Sequence, residues 1–277
     1  MSTNLLTPTS KPSPRDTIRT PSDFFGAEPD GSSAKEIVKR YHAIIAEPRY
    51  FQFARIPQRI IRCLERCATV RNPETIHARL LAYYLFIGVV DDGLESAEFG
   101  IGEEILKRLA NPLPCFDEDT LSSKPQFMTE ILKQHISPII FAQVLRKFRE
   151  LHQANLAEQH ALTMRAYIKQ RRLVGNLTAE ISYLLVRDCL AAETVDCCRL
   201  MKDVGAVGCL VDSVIDARAD KRAGTLSLRP TWTSLLFLFA TTVFDGMTLV
   251  FTQPRMLPLF ANAIRDNFQD RRRSLLS

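Results

Sequence analysis

Three aspartates, Asp212, Asp216 and Asp220, stand four residues apart within a largely apolar stretch of the chain. The apolar residues around them recur with the period of a helix, so the three carboxylates share one helical face over roughly 12 Å. Like charges at this spacing destabilise a helix unless cations neutralise them. A hard divalent cation that prefers oxygen ligands suits such a face. We therefore predict a long helix with a metal-binding side, and refer to the three aspartates as the ladder.

The remainder of the chain follows the same helical period from Ala34 onwards. Alternating strand patterns are not convincing anywhere, and glycine makes up only 11 of the 277 residues, so we predict an all-α fold. The 46% hydrophobic content is enough for one sizeable core, and we predict a single helical domain over 34–277. The predicted helices are 34–46, 57–70, 74–94, 101–110, 127–151, 153–174, 176–191, 194–219, 231–251 and 256–273, with a loop at 111–126.

Composition also limits the environment and the partners. Residues 1–33 are rich in Pro, Ser and Thr and carry no apolar signal-peptide region, so we predict a disordered arm. The net charge of +5 comes from scattered or terminal basic residues, which does not indicate nucleic-acid binding. The seven cysteines form no CxxC pair, which is typical of buried thiols in a reducing cytoplasm. A homodimer is compatible with the sequence.

The most apolar stretch of the chain is 234–251. It lies at the short end of the range for a membrane-spanning helix, and Asp245 interrupts its second half. We predict a buried core helix here and no membrane span.

A second acidic cluster, Asp91, Asp92 and Glu95, ends the apolar helical run 74–94. Asp91 and Glu95 are four residues apart and share a face. Acidic groups near a helix C-terminus oppose the helix dipole, so stabilisation of the helix end does not explain them. An alternative interpretation of this cluster is a solvated helix end. An alternative for the ladder is an exposed acidic stripe that pairs with Arg218, Lys221 and Arg222.

A third segment repeats at the same interval, with Tyr167, Arg171 and Gly175 four residues apart. The planar guanidinium of arginine suits bidentate contact with phosphate oxygens, and glycine permits a bend in a helix. A basic surface turn is the alternative interpretation.

Together, in order and in spacing, these three segments resemble the class I terpene synthases over roughly residues 75–228. That family carries an aspartate-rich motif, matched by Asp91, Asp92 and Glu95. It then has a Tyr-x-x-x-Arg-x-x-x-Gly segment, matched by 167–175, and a second metal motif with ligands at every fourth residue. The ladder occupies the position of the second motif, and Gly224 stands where that motif usually continues to a glycine.

The resemblance implies an α-helical bundle of the isoprenoid synthase type that ionises and cyclises a C15 or C20 prenyl diphosphate. It implies three Mg²⁺ ions, with Arg171 sensing the diphosphate, Gly175 acting at a helix break and Asp92 orienting its neighbours. The implied metal ligands are Asp91, Glu95, Asp212, Asp216 and Asp220. The implied substrate contacts are Arg171, Lys221, Arg222, Tyr84, Phe86 and Tyr167, with Tyr83 and Tyr183 as further aromatic wall residues.

The chain departs from the family pattern at two points. Asp216 and Asp220 stand where Ser or Thr and Glu are usual, and no Arg-Tyr pair follows the ladder, so that Lys221, Arg222 or Arg271 to Arg273 would have to close over the diphosphate. Two alternatives follow. One is a head-to-head prenyl transferase, because squalene and phytoene synthases share the fold and carry D-x-x-x-D motifs. The other is a catalytically silent helical binding protein.

Overall fold

The structure is a computed structural model of the chain. It describes residues 32–95, 100–223, 228 and 231–254, without the side chains of 32–33, 94–95 and 216–223. The chain divides into two compact units, 1–44 and 45–277. Helix α1 (Ser32–Ile45) is the described element of the first unit and ends at the boundary.

Helices make up most of the described part of the second unit. Two short strands, β1 (Thr69–Val70) and β2 (Leu190–Ala191), pair antiparallel, and single 3₁₀ turns occupy Pro48–Tyr50 and Arg187–Cys189. The helices are α2 (Phe51–Leu64), α3 (Pro73–Glu95), α4 (Ile101–Ala110), α5 (Glu118–Ser122), α6 (Lys124–Gln134), α7 (Pro138–Gln159), α8 (Met164–Val186), α9 (Cys197–Ala223) and α10 (Trp232–Thr252). The predicted all-α fold is confirmed.

Helix boundaries differ from the prediction where proline and threonine set them. The predicted helix 127–151 is two helices, because Pro138 begins α7 and its missing N–H cannot continue α6. Thr163 caps α8 by accepting a hydrogen bond from the Ala166 amide, so this helix starts at Met164, eleven residues later than the predicted 153. Helix α2 begins at Phe51, ahead of the predicted 57, and contains Pro57.

The core of the second unit is built largely on α3, α6 and α8. Fully buried side chains of α3 and α6 include Leu80, Tyr83, Leu85, Phe127 and Met128. Burying each such side chain contributes roughly 1.5–3 kcal/mol. Because α3 is buried along most of its length, the acidic residues at its C-terminal end are held on a rigid element.

Helix α10 is the exception to this packing. The prediction that 234–251 is a buried core helix is wrong, since Trp232, Phe244 and Phe251 are exposed by 76%, 71% and 76%. The described side chains of α10 that are buried are Leu238, Thr242 and Leu249. By length and composition α10 is long and apolar enough to cross a membrane, which is weak evidence on its own because core helices of soluble proteins pass the same test.

The exposure of α10 leads to a stability prediction. Replacing Phe244 by Ser should change the free energy of unfolding by no more than about 0.5 kcal/mol, because the ring makes little contact with the rest of the protein. Leu238→Ala, at a fully buried position of the same helix, should cost about 2–5 kcal/mol. Urea unfolding of both variants checks this. A large loss at Phe244 would show that this face is covered in solution.

Candidate functional site

Helices α3 and α8 run antiparallel. Arg79 Nη1 donates to the Leu185 carbonyl at 2.9 Å, and Tyr83 Oη donates to the Thr178 carbonyl at 3.1 Å. Residues later in α3 therefore lie beside residues earlier in α8. The acidic C-terminal end of α3 therefore lies toward the N-terminal half of α8.

Helices α8 and α9 also run antiparallel and cross in close contact at two glycines. A Cβ atom placed on Gly175 would lie 2.3 Å from the carbonyl oxygen of Gly205, and one on Gly205 would lie 2.4 Å from the Gly175 carbonyl oxygen. Gly175 lies inside a continuous helix, so the helix break that we expected there is absent. The glycine is needed because the two backbones touch, and this contact brings the start of α8 beside the ladder segment of α9.

Arg171 is the centre of a polar network one turn before Gly175. Its Nε donates to Ser213 Oγ at 2.8 Å, and Nη1 lies 3.3 Å from Glu158 Oε1 on α7. Nη2 lies 3.4 Å from Asp212 Oδ2 and from the Cys209 carbonyl oxygen. Burial opposes the charge of Arg171, but the negative groups around it outweigh burial, so its pKa is raised and the guanidinium is charged at any accessible pH.

Ser213 joins Arg171 to Tyr167. The Tyr167 hydroxyl donates to Ser213 Oγ at 3.0 Å, and Ser213 in turn donates to the Cys209 carbonyl at 2.9 Å. Tyr167, which we predicted as a substrate contact, is buried with this hydroxyl directed at the serine. The structure thus gives Tyr167 a place in the core, where it fixes the residue that orients Arg171.

Sequence reasoning missed Ser213 and Glu158. Ser213 is a buried polar residue immediately after the first aspartate of the ladder, and this polar interruption of an apolar run was an available signal. Glu158 is 12% exposed and lies thirteen residues before Arg171 in another helix. Nothing in its local sequence distinguishes it from a surface glutamate.

Charged groups on several helices act on the pKa of the Cys209 thiol. Burial is the main reason why the pKa of the Cys209 thiol is raised to about 11; Arg171 lowers it, while Asp212, Glu158 and Asp91 raise it further. Asp91 belongs to α3 and Asp212 to α9, so both carboxylates lie within electrostatic range of one thiol. The structure therefore brings Arg171 into contact with Asp212, and the antiparallel packing of α3 and α8 directs the end of α3 that carries Asp91 toward the same part of α8.

Asp92 has protein partners of its own. Its Oδ2 accepts a hydrogen bond from the Tyr50 hydroxyl at 2.8 Å and lies 2.5 Å from Arg49 Nη1. Burial and the hydrogen bond to Asp92 raise the pKa of Tyr50, so its hydroxyl stays protonated and remains a donor at neutral pH. Arg49 and Tyr50 were not predicted as site residues, because they lie 42 or more positions from Asp92 in the sequence.

The fit of the site to Mg²⁺ can be judged for two of the five predicted ligands. Asp91 and Asp212 are exposed, and carboxylate oxygens are the ligands that Mg²⁺ prefers, so the chemistry of both side chains suits this ion. The side chains of Glu95, Asp216 and Asp220 lie outside the described residues. Among the side chains that the structure describes, no group of three or more His, Cys, Asp or Glu is placed to hold a metal. Three ions remain a prediction.

Three of the four predicted aromatic wall residues lie in the helical core, and Tyr183 is only partly buried. Tyr83 and Tyr84 are buried, and the Tyr84 hydroxyl is 3.0 Å from Ser182 Oγ. Phe86 packs edge-to-face on Phe148 with ring centroids 5.5 Å apart. Tyr183 donates to Glu193 at 3.1 Å. Lys221 and Arg222 have no described side chains, and Gly224 and Arg271 to Arg273 lie outside the described residues.

A cleft of about 500 Å³ lies between α4 and α7. Its lining includes Lys107, Arg149 and His152, and none of the predicted site residues. It is therefore separate from the Arg171 network.

Comparison with known proteins gives no identification, since no protein-family model, curated protein or solved structure matches the chain. The resemblance to class I terpene synthases thus depends on the three motifs alone.

Proposed function

We propose that this protein is a Mg²⁺-dependent enzyme that ionises and cyclises a linear prenyl diphosphate of fifteen or twenty carbons and releases diphosphate. The observation that supports it is the contact between the guanidinium of Arg171 and the first carboxylate of the ladder, Asp212. The antiparallel packing of α3 and α8 directs the end of α3 that carries Asp91 toward this part of α8. A site with metal-ligating oxygens beside an arginine suits a diphosphate ester.

Arg171 would bind the diphosphate by exchanging one of its partners. Its contact with Asp212 is long, at 3.4 Å, and the Asp212 side chain is 61% exposed, so this ion pair is weak and easily replaced. Glu158 and Ser213 are more buried and would keep the guanidinium in place during the exchange. The freed Nη2 would then donate to an oxygen of the leaving diphosphate, where negative charge grows as the C–O bond breaks.

Asp91 and Asp212 are the described residues that would hold Mg²⁺, with Glu95, Asp216 and Asp220 as the remaining predicted ligands. When bound, Mg²⁺ supplies positive charge that stabilises the departing diphosphate. Asp212 is shared between the two functions, because it contacts Arg171 in the described structure. A Mg²⁺ ion held by Asp212 would therefore weaken the contact of this carboxylate with Arg171.

A catalytically silent diphosphate-binding protein is the second candidate. The observation that favours it is the dense packing of the predicted aromatic wall, since Tyr83 and Tyr84 are fully engaged in the core and the cleft lies elsewhere. A carbocation needs a dry cavity lined by aromatic rings, which an enzyme of this kind would have to open beside these tyrosines when substrate binds. Binding would survive in the silent protein, whereas turnover would not.

Thermal unfolding with Mg²⁺ and inorganic diphosphate tests the binding function. At ligand concentrations of about 100 times Kd, we expect about 2.7 kcal/mol of stabilisation in the wild-type protein. Asp91→Asn and Asp212→Asn should lose most of this effect. The matched control is Asp203→Asn, which removes an exposed carboxylate from the same helix as Asp212 and should keep it. Full stabilisation in both site variants would contradict the proposal.

A further inference from the structure

Arg49 lies beside the acidic end of α3, in the 3₁₀ turn that precedes α2. Its Nε donates to Glu47 Oε2 at 2.9 Å, its Nη1 lies 2.5 Å from Asp92 Oδ2, and its guanidinium stacks on the Tyr50 ring with 5.0 Å between the guanidinium carbon and the ring centroid. Glu47 is itself anchored by Lys124 Nζ at 2.7 Å. The guanidinium is therefore held by the carboxylates of Glu47 and Asp92 at its edges and by the Tyr50 ring on one face.

The remaining donors of Arg49 have no acceptor in the described part of the chain. An arginine carries five N–H groups, of which one is on Nε and two are on each terminal nitrogen. The hydrogen bond to Glu47 uses the N–H of Nε, and Nη1 forms an ion pair with Asp92. The side chain is 53% exposed. A fixed and accessible guanidinium edge is the geometry that binds a phosphate group in a bidentate manner.

The position of Arg49 relates it to the Arg171 network. Asp92, which holds Arg49, lies at the C-terminal end of α3. Because α3 and α8 run antiparallel, this end lies toward the N-terminal half of α8, which carries Arg171. Each of the two guanidinium groups is anchored by two carboxylates. This arrangement was not visible in the sequence, in which Arg49 precedes Arg171 by more than a hundred residues.

We propose that Arg49 is a second diphosphate-binding arginine of this site and that Asp92 is the positioning residue that holds it in place. This inference rests on the proposed function, because the diphosphate is the substrate group that both arginines would contact. Asp92 then acts through Arg49 and is not a metal ligand.

Calorimetric titration of the full chain with inorganic diphosphate, with and without Mg²⁺, tests this role. Charge-assisted hydrogen bonds of this kind imply that Arg49→Gln raises the Kd by roughly 10- to 100-fold in both conditions. Arg49→Lys keeps the positive charge but lacks the paired N–H donors of a guanidinium. Its Kd should therefore lie between those of the wild type and Arg49→Gln. The control is Arg146→Gln, at a 69% exposed arginine that lies 3.9 Å from Glu150, and it should bind like the wild type.

A double variant tests the role of Asp92. If Asp92 acts through Arg49, then Arg49→Gln with Asp92→Asn should bind diphosphate no more weakly than Arg49→Gln alone. A further loss that appears only with Mg²⁺ would overturn the positioning role and make Asp92 a ligand.

The outcomes separate this inference from the proposed function. A wild-type protein that binds diphosphate while Arg49→Gln and Arg49→Lys bind equally well would overturn the role of Arg49 alone. A wild-type protein that binds no diphosphate with Mg²⁺ would overturn both. Melting curves of each variant, which should match the wild type because Arg49 is exposed, show that the comparison is made between folded proteins.

Discussion

Arg171→Lys is expected to lower the rate of diphosphate release at saturating substrate by roughly 10²–10³-fold. Lysine keeps the positive charge but has a single ammonium group, which cannot contact Ser213, Glu158 and the diphosphate together. Arg171→Ala should also destabilise the fold by about 1–3 kcal/mol, because it removes the guanidinium that Ser213 and Glu158 contact. Steady-state kinetics and urea unfolding of both variants measure the two effects separately.

Arg172 provides the control for this prediction. It is the next residue of α8 and makes a bidentate pair with Asp245 on α10, with Nε and Nη2 at 2.7 and 2.8 Å from the two carboxylate oxygens. Arg172→Lys disturbs a bidentate arginine in the same helix but outside the proposed site, so its rate should stay within about twofold of the wild type. Equal losses in the two lysine variants would mean that the effect comes from α8 packing and not from the diphosphate.

Gly175→Ala is the second large effect and should destabilise the protein by about 3 kcal/mol. The new Cβ would lie 2.3 Å from a backbone oxygen of α9, and a backbone cannot move aside as a flexible side chain can. The helices would have to separate at their crossing, which also shifts Arg171 relative to Ser213. We therefore expect a lower rate of diphosphate release as well as a lower midpoint of urea unfolding.

Gly208→Ala is the matched substitution on α9. A Cβ at Gly208 meets no atom within 4 Å, so alanine should stabilise the helix by up to about 1 kcal/mol through its higher helix propensity. Opposite signs at the two glycines are expected. If Gly175→Ala were as stable as Gly208→Ala, the close crossing of α8 and α9 would be incorrect.

The helical class and the positions of many helices could be predicted because periodicity is a local property. The exposure of α10 could not be predicted from the sequence. An apolar helix is buried only if other elements cover it, and composition does not say which elements do so. Gly175 shows the same difference between local and tertiary effects. In the sequence, a single glycine predicts a bend or break in the helix. In the structure, Gly175 is the position at which α8 contacts Gly205 of α9.

The candidate site could be predicted only in part from the spacing of residues in the sequence. Four-residue intervals placed Asp212, Arg171 and Asp91 on helical faces. Antiparallel packing then brought Arg171 into contact with Asp212 and directed the acidic end of α3 toward the same part of α8. Spacing could not reveal Glu158 or Arg49, because each acts through a contact between separate elements. Such partners follow from tertiary structure and carry no local pattern.

Turnover of a prenyl diphosphate is the most direct test of the proposed activity. The full chain is incubated with geranyl, farnesyl or geranylgeranyl diphosphate with and without Mg²⁺, and diphosphate and organic products are quantified by a coupled assay and by gas chromatography with mass spectrometry. We predict Mg²⁺-dependent release of diphosphate from at least one substrate and a hydrocarbon or alcohol of the same carbon number. A product of doubled carbon number would indicate the head-to-head transferase instead, and the absence of diphosphate release from all three substrates would contradict the account.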